Sequence, residues 1–296
     1  ILGTYKDYEI ISMGPPSSGG ALLINMLNML ENYPIDTISW NSSEYIHIMT
    51  EVERRAYADR AEHMGDPDYW DVPVIMLTSK KYAKERIENI DLNKATPSNL
   101  ISASKRTNYE SPETTHYSVV DKWGNAVSVT TTINLGYGNG CVVEGAGFFL
   151  NNEMDDFSSK PGAPNAFGLI GNEANAIEAN KRPLSSMTPT IVLKNSRPYI
   201  VIGSPGGSTI ITTTMQTILN IIDHNMDIKE AVCATRFHSQ WLPDIIQYEP
   251  KGLVKDVKKN LQFKGHKLVQ RNGYIGEANG IIITQDGYFG GGDCRG

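Results

Sequence analysis

An α+β fold is predicted for this 296-residue chain by three observations. Apolar stripes at helical spacing concentrate before residue 114, strand-type runs concentrate after it, and a hairpin pattern follows the junction directly. In that hairpin, Tyr117 to Asp121 and Val127 to Ile133 are rich in β-branched and aromatic residues. Lys122-Trp123-Gly124-Asn125 lies between them, and Gly and Asn tolerate the positive φ that a tight turn needs.

The elements follow in order. Tyr8 to Met13 reads as a strand, broken by Gly14-Pro15-Pro16-Ser17-Ser18-Gly19-Gly20. Ser17 or Ser18 is placed to cap a helix over Ala21 to Glu31. A glycine-rich turn before a helix can cradle phosphate, but the Walker spacing and its lysine are missing here. A second helix is expected from Glu44 to His63, where Tyr45, Met49, Val52 and Ala56 form one buried stripe. Tyr57-Ala58-Asp59-Arg60 and Gly65-Asp66-Pro67-Asp68 close this region. His63 near two aspartates reads as a solvated helix end, because metal-ligand spacing and a second histidine are lacking. A third helix covers Ser79 to Asn89, and Asp91 to Ser111 reads as a polar surface segment.

Beyond the hairpin, Gly136 to Gly140 is a loop and Gly147 to Asn151 a short strand. Lys160 to Asn175 reads as a loop, and Pro189 to Lys194 with Pro198 to Gly203 as another hairpin. Ser208 to Asp223 is helical despite its threonines, because Ile211, Met215, Ile218 and Ile222 keep a stripe. Ile228 to Ala234 and Val254 to Asn260 are short helices. Ile246 to Tyr248, Leu268 to Gln270 and Ile281 to Thr284 are strands.

Hydrophobic residues make up 40% and charged residues 20%, an ordinary globular balance. The net charge of −6 and the lack of a long Lys/Arg run argue against a nucleic-acid partner. The longest apolar cluster, Ala21 to Leu30, is interrupted by Asn25 and Asn28, so no membrane span is expected. Cys141, Cys233 and Cys294 are odd in number and widely spaced, and are expected to be buried free thiols. Asn41-Ser42-Ser43 is a glycosylation sequon of a kind common by chance. The chain opens at Ile1 without a signal segment and reads as a piece or a processed product, with any targeting signal outside it.

Several stretches carry candidate chemistry. Thr132 and Asn134 are expected on the second hairpin strand, where period 2 puts them on one face. Asn151-Asn152-Glu153-Met154-Asp155-Asp156-Phe157 is an acidic loop suited to holding a cation through charge-assisted hydrogen bonds. Lys181-Arg182-Pro183-Leu184-Ser185-Ser186-Met187-Thr188-Pro189 offers two adjacent hydroxyls, which either donate to a carboxylate or simply shape a turn. In Gly203-Ser204-Pro205-Gly206-Gly207-Ser208 the glycines let backbone N–H groups face a ligand at the positive end of the following helix. It is not a nucleophile elbow, since Ile202 holds the first glycine's place.

These motifs, with Thr-Thr-His-Tyr-Ser-Val-Val-Asp from Thr114 to Asp121, resemble the γ-glutamyltransferases (γ-glutamyl transpeptidases) of the N-terminal-nucleophile hydrolase superfamily. The resemblance covers essentially the whole chain. It implies a four-layer αββα sandwich, incomplete on its N-terminal side. Residues 1–113 would be the later part of the large subunit and 114–296 the small subunit, interleaved in one domain. It implies self-cleavage at Glu113–Thr114, after which Thr114 carries its own base. An α-amino group titrates near 7.7–8.0 and a good fraction of it is neutral at pH 7, whereas an amide nitrogen cannot serve.

By the same resemblance, Thr132 assists the amine, and Asn134, Glu153, Asp156, Ser185 and Ser186 bind the substrate. Gly206 and Gly207 form the oxyanion hole. Phe167 sits in the Pro161–Gly168 stretch that resembles a lid, where many bacterial relatives carry a tyrosine bonded to the asparagine matching Asn134. An arginine that clamps the substrate carboxylate is implied upstream of the region matching Ile1, and no position here matches its motif. The implied donor is glutathione or another γ-glutamyl compound, with water, amino acids or peptides as acceptors. No cofactor and no metal are expected, and the periplasm or the cell exterior is the implied location. The alternatives are a poly-γ-glutamate depolymerase of the same family, or a catalytically inactive relative that serves in binding.

Overall fold

The structure, a computed structural model, describes residues 1–101 and 114–295. Strands β1 (Leu2–Tyr5) and β2 (Tyr8–Ser12) precede helices α1 (Gly19–Leu30), α2 (Ser43–His63), α3 (Val74–Leu77) and α4 (Lys80–Ile87). Hairpin β3 (Thr115–Val120) and β4 (Ala126–Thr131) follows, then hairpin β5 (Thr190–Lys194) and β6 (Arg197–Gly203). Helices α5 (Thr209–Ile222) and α6 (Ile228–Cys233) lead to β7 (Phe237–His238) and β8 (Ile246–Tyr248). Helix α7 (Lys255–Phe263) and strands β9 (Leu268–Gln270), β10 (Asn279–Thr284) and β11 (Gly287–Gly291) end the chain.

The organising element is a six-stranded antiparallel sheet in the order β1-β2-β5-β6-β10-β11. Strands that alternate along β6 explain its two faces. Ile200 and Ile202 enter the hydrophobic core with α1 and α5, while a Cβ on the neighbouring Gly203 would strike the His116 ring of β3. Helices therefore cover one face and the β3–β4 hairpin packs on the other, against β5, β6 and β10. The described residues supply three layers: helices, main sheet and hairpin.

The hairpin is apolar on the outside and polar within. Ser128 Oγ donates to Ile202 O (3.1 Å) and accepts from Thr190 N (3.1 Å), which fixes the hairpin on the main sheet. Tyr117, Val119 and Val127 face outward and are about half exposed.

Helix α2 is buried on more than its stripe. Tyr45, Met49, Val52 and Ala56 are buried as the periodicity predicts, but so are Glu51, Glu53, Arg54, Arg55, Asp59 and Arg60. Packing by α1 on one side and by α7 and β7 on another leaves little room for solvent. Four of these charges are in ion pairs: Glu51 meets Arg54 at 2.9 Å and Arg55 at 2.7 Å, and Asp59 meets Arg86 at 3.0 Å.

Three expectations are corrected. Cys233 and Cys294 form a disulfide with Cα atoms 5.3 Å apart, and Cys141 is exposed, so the three are not buried free thiols. The sequence separation of 61 between the paired cysteines hid their approach. The strand expected near Gly147 reduces to one bridge, Val142 to Phe149. Strand β4 ends at Thr131, so Thr132 and Asn134 lie beyond it, and Asn134 has φ 74°. Asn41 of the sequon donates its amide to Gly252 O (2.8 Å), and Ser42 caps α2 by accepting from Tyr45 N. No described helix is long and apolar enough to cross a membrane.

Candidate active site

Thr114 lies at the start of β3, and its hydroxyl is 3.4 Å from that of Thr132. Glu113, the other side of the expected scissile bond, lies outside the described residues. Thr132 and Asn134 are joined by a local turn: Asn134 N donates to Thr132 Oγ1 (2.9 Å), and Asn134 Nδ2 donates to Asn152 O (3.1 Å). A polar link of this kind, not strand alternation, puts both side chains at the site.

Thr114 and Thr132 form a wall between two cavities. The larger, about 420 Å³, is bounded by Gly206, Leu135, Tyr274 and Glu277. The tighter one, about 20 Å³, is bounded by Asn134, Asp156, Phe167, Ser185, Ser186, Gly207 and Arg60. Glu153 lines neither of these two cavities, but it acts on Asp156 through its charge.

Gly206 and Gly207 have φ of 135° and 55°, which glycine adopts without strain. They lead through Ser208 into the 14-residue α5, whose N-terminal dipole end faces the threonine. Thr209 N and Ile210 N close on the carbonyls of Gly206 and Gly207, which fixes the loop. Tyr57 OH donates to Ser208 O, and Ser208 Oγ donates to Gln240 Oε1 (2.7 Å). Gln240 Nε2 donates in turn to Phe167 O (3.2 Å), tying this loop to the Pro161–Gly168 stretch. The Phe167 ring lies where a Cβ on Gly207 would be, 2.5 Å from it.

The carboxyl of Asp156 is pushed up to about 7, first by burial, opposed by Arg60 and helped by Glu153 and Asp155. Burial also raises Glu153. Burial pushes Arg60 down to about 10, so the guanidinium is still charged at neutral pH.

The Pro-Pro-Ser-Ser-Gly-Gly turn is a bed for the serine pair. Ser17 Oγ donates to Met187 O (2.8 Å), while Ser18 N and Oγ both donate to Ser185 O (3.0 and 2.8 Å). Gly19 is required there, because a Cβ would lie 2.1 Å from Met187 O. The Gly65-Asp66-Pro67-Asp68 motif has a matching task. Asp66 accepts from Arg182 N (2.8 Å) and Nε (2.9 Å), which anchors the loop leading to Ser185. Hydrogen bonds from Arg182 hold the Asp66 carboxyl down at about 2.

Arg60 and Gln240 were not singled out from the sequence, and Ser18 was expected only as a possible helix cap, a bond its side chain does not make. The signal for Arg60 was the Tyr57-Ala58-Asp59-Arg60 motif; Ser18 stood in the turn, and Gln240 had none.

A second polar cluster, His47, Glu51 and His266, is buried with its ligand atoms within 4.8 Å of one another. Its lone pairs are already in use. His47 Nε2 donates to Asp91 O (2.9 Å), so His47 Nδ1 accepts from His266 Nε2 (2.7 Å), and His266 Nδ1 accepts from Arg54 (3.2 Å). Both carboxylate oxygens of Glu51 are taken by Arg54 and Arg55. This is a directed hydrogen-bond relay with no donor atom left over for a cation.

Comparison with known proteins places the chain in a family. A family profile described as Gamma-glutamyltranspeptidase matches residues 1–296. The glutathione hydrolase proenzyme of Escherichia coli (strain K12) is 50% identical over 296 residues, covering 100% of this chain and 51% of the relative. The chain thus spans about half the length of the curated relatives it matches. The solved Helicobacter pylori gamma-glutamyltranspeptidase T380A mutant shares 58% identity at a TM-score of 0.60, covering 62% of this chain and 100% of that one. The cephalosporin acylase of Bacillus halodurans is 25% identical at a TM-score of 0.82, covering 100% of this chain and 51% of its own. The profile match over every residue, together with these likenesses, shows that the chain belongs to the gamma-glutamyltranspeptidase family.

Proposed function

We propose that this chain carries the reacting centre of a γ-glutamyltransferase and glutathione hydrolase, with Thr114 as nucleophile. The observation that carries the reading is the convergence of Thr114, Asp156, the serine pair and Gly207 on one cavity, with Gly206 on the adjoining one and both glycines at a helix N-terminus. A γ-glutamyl donor is a zwitterion at its α-carbon. Asp156, with Glu153 behind it, takes the ammonium, and Ser185 and Ser186 take the α-carboxylate. Asn134 orients the donor between them.

The chemistry begins within the precursor. Thr114 Oγ attacks the Glu113 carbonyl carbon, the C–N bond breaks, and the Thr114 nitrogen leaves as an amine. Water hydrolyses the resulting ester and frees the hydroxyl. In turnover the amine accepts the hydroxyl proton as Oγ attacks the donor's γ-carbonyl, and Thr132 helps hold the nucleophile. Gly206 and Gly207 stabilise the oxyanion, a contribution of about 2.7–4 kcal/mol per donor in such sites. The leaving amine takes the proton, and water or an acceptor amine then attacks the acyl-enzyme.

Pairing of β2 with β5 in one sheet supports the division at residue 114 as two chains of one interleaved domain, since residues from both sides share a sheet. The lid ring over Gly207 suits a small donor better than a polymer. The Cys233–Cys294 disulfide supports an oxidising compartment, periplasmic or extracellular.

The test is intact-mass and N-terminal analysis of the full-length protein and its Thr114→Ala variant, with a γ-glutamyl anilide assay. Wild type should give two chains, one starting at Thr114, and hydrolyse the anilide. Thr114→Ala should stay whole and inactive. An uncut, inactive wild type overturns the proposal.

A further inference from the structure

Arg60 is a charged side chain, 4% exposed, at the end of α2, where it lines the tighter cavity with Thr114, Asp156 and Ser186. No carboxylate pairs with it at ion-pair distance among the described residues, although Asp156 shares its cavity. Burying an unpaired guanidinium is costly unless something else gains from it. The cost is partly met by two hydrogen bonds. Nε donates to Ser18 Oγ (2.9 Å) and Nη2 to Ser186 Oγ (3.4 Å).

Direction is what matters in these bonds. A guanidinium only donates, so every partner must accept from it. Ser186 Oγ gives Arg60 a lone pair and keeps its own proton for another acceptor. Ser18 Oγ accepts from Arg60 and passes its proton to Ser185 O (2.8 Å). Ser185 Oγ accepts from Met187 N (3.4 Å), again a group that only donates. Both hydroxyls are thereby left with protons to offer, in a cavity whose cation has no carboxylate at ion-pair distance among the described residues.

We infer that Arg60 is a positioning residue for the donor's α-carboxylate: it orients the Ser186 hydroxyl directly, holds the Ser185 backbone through Ser18, and supplies the positive charge behind the pair. This rests on the reading of the serine pair proposed above. Lysine is a poor substitute, since one ammonium point cannot hold Ser18 and Ser186 with the same planar fork.

The experiment uses the full-length protein as wild type, Arg60→Met, Arg60→Lys and Ser186→Ala. Two anilide donors are compared: the γ-glutamyl compound and its decarboxy counterpart, the 4-aminobutyryl compound, which keeps the ammonium and lacks the carboxylate. Self-cleavage before Thr114 reports whether each variant assembles the site. Arg60→Met should lose about 10- to 100-fold in kcat/KM for the γ-glutamyl donor, chiefly through KM, with little change for the aminobutyryl donor. Arg60→Lys should fall between, and Arg60→Met added to Ser186→Ala should cost much less than it does alone.

Equal losses for the two donors, or loss of self-cleavage in both Arg60 variants, would mean a purely structural arginine and overturn the inference. A wild type that cleaves itself but does not hydrolyse the γ-glutamyl donor overturns the underlying reading of the site as well. The two failures are therefore distinguishable.

Discussion

Phe167 places an apolar ring over the Gly206–Gly207 loop and beside Asn134. Asn134 Oδ1 is buried without a hydrogen-bond partner among the described residues, the group a tyrosine hydroxyl would meet. An unmet buried acceptor costs about 1–3 kcal/mol, so if this stretch acts as the lid proposed for it, closure gains less than it otherwise would. Phe167→Tyr should restore the bond, close the lid more firmly and raise the ratio of transfer to hydrolysis severalfold. Product analysis with a fixed acceptor checks it, and equal ratios in the two proteins would sink the idea. Asp156 gives a pH dependence. Its carboxyl titrates near 7 and must be an anion to hold an ammonium, so kcat/KM for the donor should rise as pH climbs through about 7. Glu153→Gln removes a neighbouring negative charge and should move the rise to lower pH. Superimposable pH profiles for the two proteins would rule out that coupling.

At the scale of elements, α2 is the unexpected one. Its C-terminal end delivers Arg60 to the cavity, while its middle carries the relay from Arg54 through His266 and His47 to Asp91 O. Burial and the neighbouring Arg54 push His266 down to about 2, and burial lowers His47. Both folded values lie below the unfolded histidine value, so the unfolded chain binds more protons in acid. The relay's contribution is present above about pH 6.5 and is lost as pH falls below it. Buried carboxyls with raised values, such as Glu53 and Asp59, act with the opposite sign, so a difference measurement is needed. Between pH 7 and 5 wild type should lose about 2 kcal/mol more stability than His266→Gln. Parallel stability curves in urea at the two pH values would refute this.

Over the whole molecule, the disulfide closes the last layer. Cys233 at the end of α6 is joined to Cys294, beside an ion cluster in which Asp293 meets Arg236 and Arg295 at 2.7 Å. A bridge across 61 residues restricts the unfolded chain. Cys294→Ser should therefore cost about 2–4 kcal/mol of stability, while Cys141→Ser should cost almost nothing. Thermal unfolding of both variants, with and without reductant, measures it. Reductant should lower the wild-type melting temperature to that of Cys294→Ser.

The sequence by itself, although β1, α3, β7 and β11 were not read from it, determined the long helices and the two hairpins in order, the glycine pair and the serine pair. Each of these is local: a turn needs its glycine where it bends, and an apolar stripe repeats with the period of its own helix. The stripe of α2 was legible for the same reason. Its buried charges were not, because periodicity records which side of a helix is apolar and is silent about polar groups that find partners. Those partners are far away in the chain: Arg60 and Ser186 are 126 residues apart, and His47 and His266 are 219. The disulfide pairing and the bed under the serine loop were hidden likewise. Thr132 and Asn134 show the reverse case: both line the tighter cavity, through the turn at Asn134 and not through the strand geometry expected for them. The tertiary structure alone decided these matters, because a charge or a thiol becomes tolerable inside a protein only when the fold brings its partner within hydrogen-bonding or bonding distance.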